Sequence, residues 1–439
     1  MTATDNRVRR LLRNASKLLA ADAVASLIGL LQAIILARAI GAAGYGLLSL
    51  VIVFADIFNQ LVDVRLWETV TKFVGEFHER GQHGHARATI KVVYLLDLTT
   101  GILAFLLVLV IAPLAAERLF HRAEAAPLMI VFSLTLLVST VNQTSMALLR
   151  VFDRFTALGA ERVGFVAVRC AALAVAALAT RSLGPIVWTY VAVDAVRATV
   201  LLVLGLRASA HALTGPGDDR MGLLRPRLRE LVTFSLHNSL SMLLSLVTRQ
   251  LDVLILAALR GDREVGYFRM AKNFARLLLR VSDPVYHAIY PELVRLREQT
   301  GDLGIMRRFI GQTMRRVMLV VVPAAVTIAL GAPIIIDRLV GSEFAPAVPA
   351  LRIMVAGVLV NAAFLWARPL ALTAGRPQAS TAAFAVGTVV LGAGSLLLVP
   401  PYGYLGSAIT YSLTMATTAV LMATWAVRAA RPTPPPRAS

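Results

Sequence analysis

Cysteine is almost missing: Cys170 is the single one in 439 residues. That excludes a disulfide framework and any Cys-based metal site. Charge is scarce too. Charged residues make up 16% of the chain, where soluble domains carry about a quarter. The shortage is one-sided, because 25 Asp+Glu face 44 Lys+Arg. No Walker A or other nucleotide motif occurs, so direct coupling to ATP is not expected. No short apolar core with a cleavage site follows the basic N-terminus (Arg7, Arg9, Arg10, Arg13, Lys17). A retained first span is therefore expected, not a signal peptide.

What the chain does have is apolar length. Hydrophobic residues make up 57% and the mean hydropathy is +0.72. A pI near 11.1 would otherwise suggest nucleic acid. The apolar runs leave no soluble domain to carry a basic face, so no nucleic-acid partner is expected. A spanning helix needs roughly 20 mostly apolar residues. Twelve segments qualify: 17–37, 44–66, 90–114, 126–148, 162–181, 184–206, 229–251, 264–288, 316–337, 348–368, 378–399 and 404–427. The second and eighth are the least apolar and also read as amphipathic surface helices. The predicted fold class is thus an all-α polytopic membrane protein of about 12 transmembrane helices.

Alternate turns separate by charge. The N-terminus, the turns near 70–91, 149–169, 207–229, 291–316 and 368–377, and the C-terminal tail hold most of the cations. The opposite turns hold only Arg38, Arg118, Arg122, Arg181, Arg260, Arg263 and Arg338. The positive-inside rule places the first set, and both termini, in the cytoplasm.

The chain also echoes itself. A shift of 222 residues pairs Arg38 with Arg260, Gly44-Tyr45 with Gly266-Tyr267, Glu76 with Glu298, and Gly184 with Gly406. A shift of 220 pairs Glu117-Arg118-Leu119 with Asp337-Arg338-Leu339. An even number of spans per half gives both halves the same orientation. The prediction is two six-helix lobes, 1–208 and 228–429, related by a parallel pseudo-twofold with a cavity between them. A polar cytoplasmic linker spans 209–227 and a disordered cytoplasmic tail 430–439.

The segment Leu36-Ala37-Arg38-Ala39-Ile40-Gly41 with Gly44-Tyr45-Gly46 resembles the first extracytoplasmic turn of polysaccharide-biosynthesis oligosaccharide flippases. These belong to the multidrug/oligosaccharidyl-lipid/polysaccharide exporter superfamily. Gly341-Ser342-Glu343-Phe344 with Pro349-Ala350-Leu351-Arg352 resembles that family's ninth-to-tenth helix turn. Gly375-Arg376 and Pro401-Tyr402-Gly403 with Gly406-Ser407-Ala408 resemble its late turns. Two departures stand out. Lipid II flippases usually carry two further C-terminal helices, and Asp63-Val64-Arg65 stands where the family pattern usually has a Gly. The resemblance implies a flippase that moves a polyprenyl-diphosphate-linked oligosaccharide to the outer leaflet by alternating access. It implies residence in a bacterial inner membrane. Its implied partners are the lipid-linked oligosaccharide, membrane lipids, and a polysaccharide polymerase with its chain-length machinery.

Charges inside spans are costly and normally face a cavity or a partner. Arg269, Lys272, Arg276 and Arg280 share one face of the eighth span, and Arg249 ends the seventh. Arg249, Arg269, Lys272 and Arg276 suit a diphosphate headgroup, because Arg meets phosphate oxygens in a bidentate fork. For Arg269 and Arg280, near the two ends of the span, snorkelling to the interfaces is the competing reading. Asp56 and Asn59 share a face of the second span with Asp63 and line the cavity or make interhelical contacts. Asp22 and Asp194 resemble in placement the acidic pair that multidrug and toxin extrusion relatives use for cation coupling. An interior salt bridge of Asp194 with Arg197 or Arg169 is the competing reading. No cofactor is expected beyond a proton or sodium ion as coupling species. The polar run Asn142-Gln143-Thr144-Ser145 reads as helix-packing contacts. His78, His83 and His85 read as a solvated loop with no metal. A drug antiporter of the same superfamily stays open as an alternative. An integral-membrane glycosyltransferase or polymerase fits less well, because no sizeable extracytoplasmic loop carries catalytic acids.

Overall fold

In lipid, backbone N–H and C=O groups must be satisfied within the segment, which favours helices for runs this apolar. The computed structural model describes residues 3–62, 66–214, 250–300, 302–374 and 377–429. Among these there is no strand. Nine of the described helices are long and apolar enough to cross a membrane. Side chains such as Val110, Leu330 and Leu397 are more than 70% exposed, which suits a surface solvated by lipid tails. The protein is a multi-pass membrane protein.

The chain divides into two compact units, Met1–Leu246 and Val247–Ser439. The first unit begins with α1 (Ala3–Val62), which holds the first two expected spans as two limbs. The expected turn between them contracts to Gly41, whose φ of 70° kinks the helix where most side chains would be strained. Short helices α2 (Leu66–Thr69) and α3 (Gly75–Glu79) flank a π-helical turn. Then follow α4 (His83–Leu114), α5 (Ala125–Val151), α6 (Phe155–Thr180) and α7 (Leu183–Ala212). Helix α5 packs along α4 and α7, and α6 along α1.

The histidine segment departs from the solvated loop expected of it. His78 and His83 stack with ring centroids 6.0 Å apart, and His83 Nδ1 lies 2.7 Å from the Thr214 carbonyl oxygen. The adjoining Phe73 and Phe77 enter an apolar cluster with Val93 and Leu148. Burial of those phenylalanines draws the segment onto the body of the unit.

The second unit starts, within the described residues, with α8 (Gln250–Leu259). It continues with α9 (Asp262–Thr300), α10 (Leu303–Ile335), α11 (Ala347–Ala363), α12 (Ala367–Thr373), α13 (Pro377–Tyr402) and α14 (Tyr404–Ala429). Asp302 caps α10 by accepting from the Gly304 N–H at 2.6 Å. The expected eighth span is α9, helical but too polar to count among the nine apolar helices. The expected tenth span is broken at 364–366 into α11 and α12. Small residues let helices close in: a Cβ on Gly357 would fall 2.6 Å from Ser412 of α14. Apart from residues 250 and 251, the seventh expected span lies outside the described residues, as do Asp63 and most of the expected linker.

The sequence echo has a structural counterpart. Helices α5 and α11 start 222 residues apart, at Ala125 and Ala347. Both α4 and α10 run into a five-residue π-helical turn, Ala115–Leu119 and Ile336–Val340. Those turns hold the paired triplets Glu117-Arg118-Leu119 and Asp337-Arg338-Leu339.

Candidate functional site

Each unit carries polar groups inside its apolar helices. In the first unit the organising element is α6. Glu161, Phe165 and Arg169 recur every four residues and so share a face. Arg169 and Arg197 both lie over the Phe165 ring, their guanidinium carbons 5.0 and 4.1 Å from its centroid. Arg197 Nε donates to Glu161 Oε1 at 2.8 Å. Arg169 Nε donates to Gln32 Oε1 at 3.2 Å, and Gln32 Nε2 donates to the Tyr190 hydroxyl at 2.8 Å. Gln32 and Tyr190 are both buried. This network joins α1, α6 and α7.

Asp194 faces the network within electrostatic range of Arg169 and Arg197. Asp22 is ion-paired with Arg162 at 2.5 Å. The two acids therefore meet arginines on the same helix, α6, about 10 Å apart along its axis at 1.5 Å per residue. Sequence reasoning singled out both acids but missed Glu161, Gln32, Phe165 and Tyr190. The four-residue spacing on α6 was the available signal.

Next to this network lies a polar cavity of about 190 Å³, lined by Asn59, Asp97, Thr100, Asn142, Gln143 and Arg197 among others. Asp97 and Asn142 are both buried. The structure therefore brings Asn59 from α1 together with the polar run of α5, and Asn142 and Gln143 face a cavity as well as packing helices. Asp56 is half-buried one helical turn before Asn59, and its carbonyl accepts from Gln60 Nε2 at 3.3 Å.

In the second unit the basic stripe of α9 divides. Lys272 is fully buried and forms an ion pair with Asp252 of α8. Asp252 Oδ1 also accepts from the Val253 N–H at 2.8 Å. The Lys272 ammonium sits 5.6 Å from the Phe268 ring centroid and 5.1 Å from that of Tyr411. Arg276 is exposed and Arg269 half-buried on the same helix. Arg276 lies within electrostatic range of Tyr411. Arg249 lies outside the described residues. Asp252, the carboxylate that meets Lys272, was not among the residues predicted from sequence.

Near the other end of this unit, Arg260 donates to the Val399 carbonyl at 3.4 Å and to the Pro400 carbonyl. Glu264 Oε2 accepts from the Tyr404 N–H at 2.8 Å. These contacts tie the start of α9 to the turn between α13 and α14. Among the described residues no group of three or more His, Cys, Asp and Glu side chains is placed to hold a metal ion.

Solved structures share this fold, three of them being the following. Lipid II flippase MurJ in an inward closed conformation matches with a TM-score of 0.71 at 11% identity, covering 93% of this chain and 86% of that one. A multidrug resistance MATE family transporter of the MOP superfamily, inward-facing, matches with a TM-score of 0.71 at 14% identity, covering 92% and 94%. A MOP superfamily transporter from Pyrococcus furiosus matches with a TM-score of 0.62 at 15% identity, covering 95% of each. A sequence search of curated proteins gives no match. The family described as polysaccharide biosynthesis protein matches residues 35–349, well over half of the chain. The chain thus belongs to the polysaccharide biosynthesis protein family.

Proposed function

We propose that the protein is a flippase of a bacterial inner membrane, moving a polyprenyl-diphosphate-linked oligosaccharide from the cytoplasmic to the outer leaflet for cell-surface polysaccharide assembly. Family membership supplies the polysaccharide, and the fold shared with transporters supplies the manner of action. The observation that carries the reading is the division of the α9 stripe. Lys272 is held by Asp252, while Arg276 on the same helix is an exposed residue. An exposed arginine within a helical membrane unit is placed to meet phosphate oxygens in a bidentate fork. Arg269 adds a second guanidinium about two turns away along α9.

On this reading the polar interior opens alternately to the two leaflets, the glycan crosses through it, and the polyprenyl tail stays in lipid. The acids Asp22 and Asp194 couple the cycle to a proton or sodium gradient. Both termini lie in the cytoplasm, and a polymerase with its chain-length machinery takes over the product. Cells lacking the protein should accumulate a lipid-linked glycan, read by mass spectrometry of extracted lipids. An unchanged lipid-linked pool and intact surface polysaccharide would contradict the proposal.

A further inference from the structure

A second cavity, larger than the polar one described above, is apolar in its lining. It is a half-open apolar groove of about 340 Å³ in the second unit, between α10, the break after α11, and the end of α14. Its walls include Ile310, Met314, Trp366 and Leu370, and Arg307 stands among the lining residues as the single charge. Three observations bear on what fills it.

The first is Gly311. It lies inside α10 and lines the groove, and a Cβ built there meets nothing within 4 Å. A glycine in a helix interior weakens the helix relative to alanine, and no close packing requires one here. What its missing side chain does is keep the groove open.

The second is the helix break at 364–366. Irregular backbone at membrane depth is tolerated where protein buries it or where it borders a cavity. Here the Trp366 indole Nε1 donates to the Ala363 carbonyl at 3.1 Å, and both residues line the groove.

The third is charge. Arg307, Arg308, Arg315 and Arg316 crowd the first half of α10. Under the orientation proposed above, that end meets the anionic cytoplasmic leaflet.

We infer that the groove is a binding site for an anionic glycerophospholipid of the cytoplasmic leaflet. One acyl chain lies along Gly311, Met314 and Leu370, and the phosphate pairs with Arg307. The match is of shape and charge together: an apolar trough for the chain and one guanidinium among its lining residues for the headgroup.

The test uses the purified full chain in a nonionic detergent, titrated with dioleoyl phosphatidylglycerol or dioleoyl phosphatidylcholine and read by native mass spectrometry. It does not depend on orientation or on transport, so failure of the flippase reading would leave its result intact. Wild type should prefer phosphatidylglycerol by about five- to tenfold, the order expected of one arginine near a lipid phosphate. Gly311→Leu should reduce binding of both lipids at least tenfold, and Gly311→Ala should bind like wild type. Arg307→Gln should abolish the preference while keeping chain binding, and Arg308→Gln should change neither. Equal binding of the two lipids by wild type would overturn the inference. So would undiminished phosphatidylglycerol binding by Gly311→Leu. Competition by millimolar inorganic phosphate would overturn it too, by assigning Arg307 to a free anion.

Discussion

Lys272 and Asp252 form an ion pair whose side chains are each only 2% exposed, twenty residues apart in sequence and on neighbouring helices. Two aromatic rings flank the ammonium, and a backbone N–H holds the second carboxylate oxygen. Such a pair gains little over a well-packed apolar substitute, but losing one partner strands the other in a dry interior.

Lys272→Ala should therefore destabilise the protein by about 3–5 kcal/mol, and Asp252→Ala by a similar amount. The double variant Lys272→Met with Asp252→Leu should recover most of that loss. Thermal unfolding in detergent, followed by tryptophan fluorescence, reads all three. A Lys272→Ala variant as stable as wild type would contradict a structural role for the pair.

The acids of the first unit differ from each other. Asp22 is held by Arg162, whereas Asp194 faces both Arg169 and Arg197. If they couple the cycle to an ion, Asp22→Asn and Asp194→Asn should both remove the response of transport to an imposed proton or sodium gradient while substrate binding persists. Unchanged gradient dependence in both would leave these acids as salt-bridge partners only.

Orientation is open to direct measurement because Cys170 is the single cysteine and is buried. In a Cys170→Ser background, Arg122→Cys and Glu343→Cys should react with an impermeant maleimide from outside intact cells. Arg80→Cys and Asp302→Cys should react only after permeabilisation. Reversal at two or more positions would refute cytoplasmic termini.

Much of the fold was legible in the sequence because a membrane span needs only length and hydropathy. The first six spans and the last four appear as helices, and even the weak apolar character of the eighth was visible in its arginines. What escaped depends on the third dimension. Gly41 carries a whole inter-span turn in one residue because its φ is positive, which spacing alone does not reveal. Lys272 was visible as a mid-span cation. Its partner was not, because Asp252 follows the last residue of the expected seventh span and only packing of α8 on α9 brings the two together. The α6 network was half legible. Glu161, Phe165 and Arg169 show a helical period, but their partners Gln32, Tyr190 and Arg197 come from other helices.

Transport of a lipid-linked glycan through a basic interior turns on Arg276. The measurement is transbilayer movement of a fluorescent polyprenyl-diphosphate oligosaccharide in proteoliposomes, at matched protein levels. Wild type should move the lipid. Arg276→Ala should weaken apparent affinity about ten- to a hundredfold, the loss expected for one charge-assisted phosphate contact. Arg276→Lys should recover part of it, keeping the charge without the fork. Wild-type protein that leaves the lipid in place but exchanges cationic dyes for protons would refute glycan-lipid transport and favour a drug antiporter.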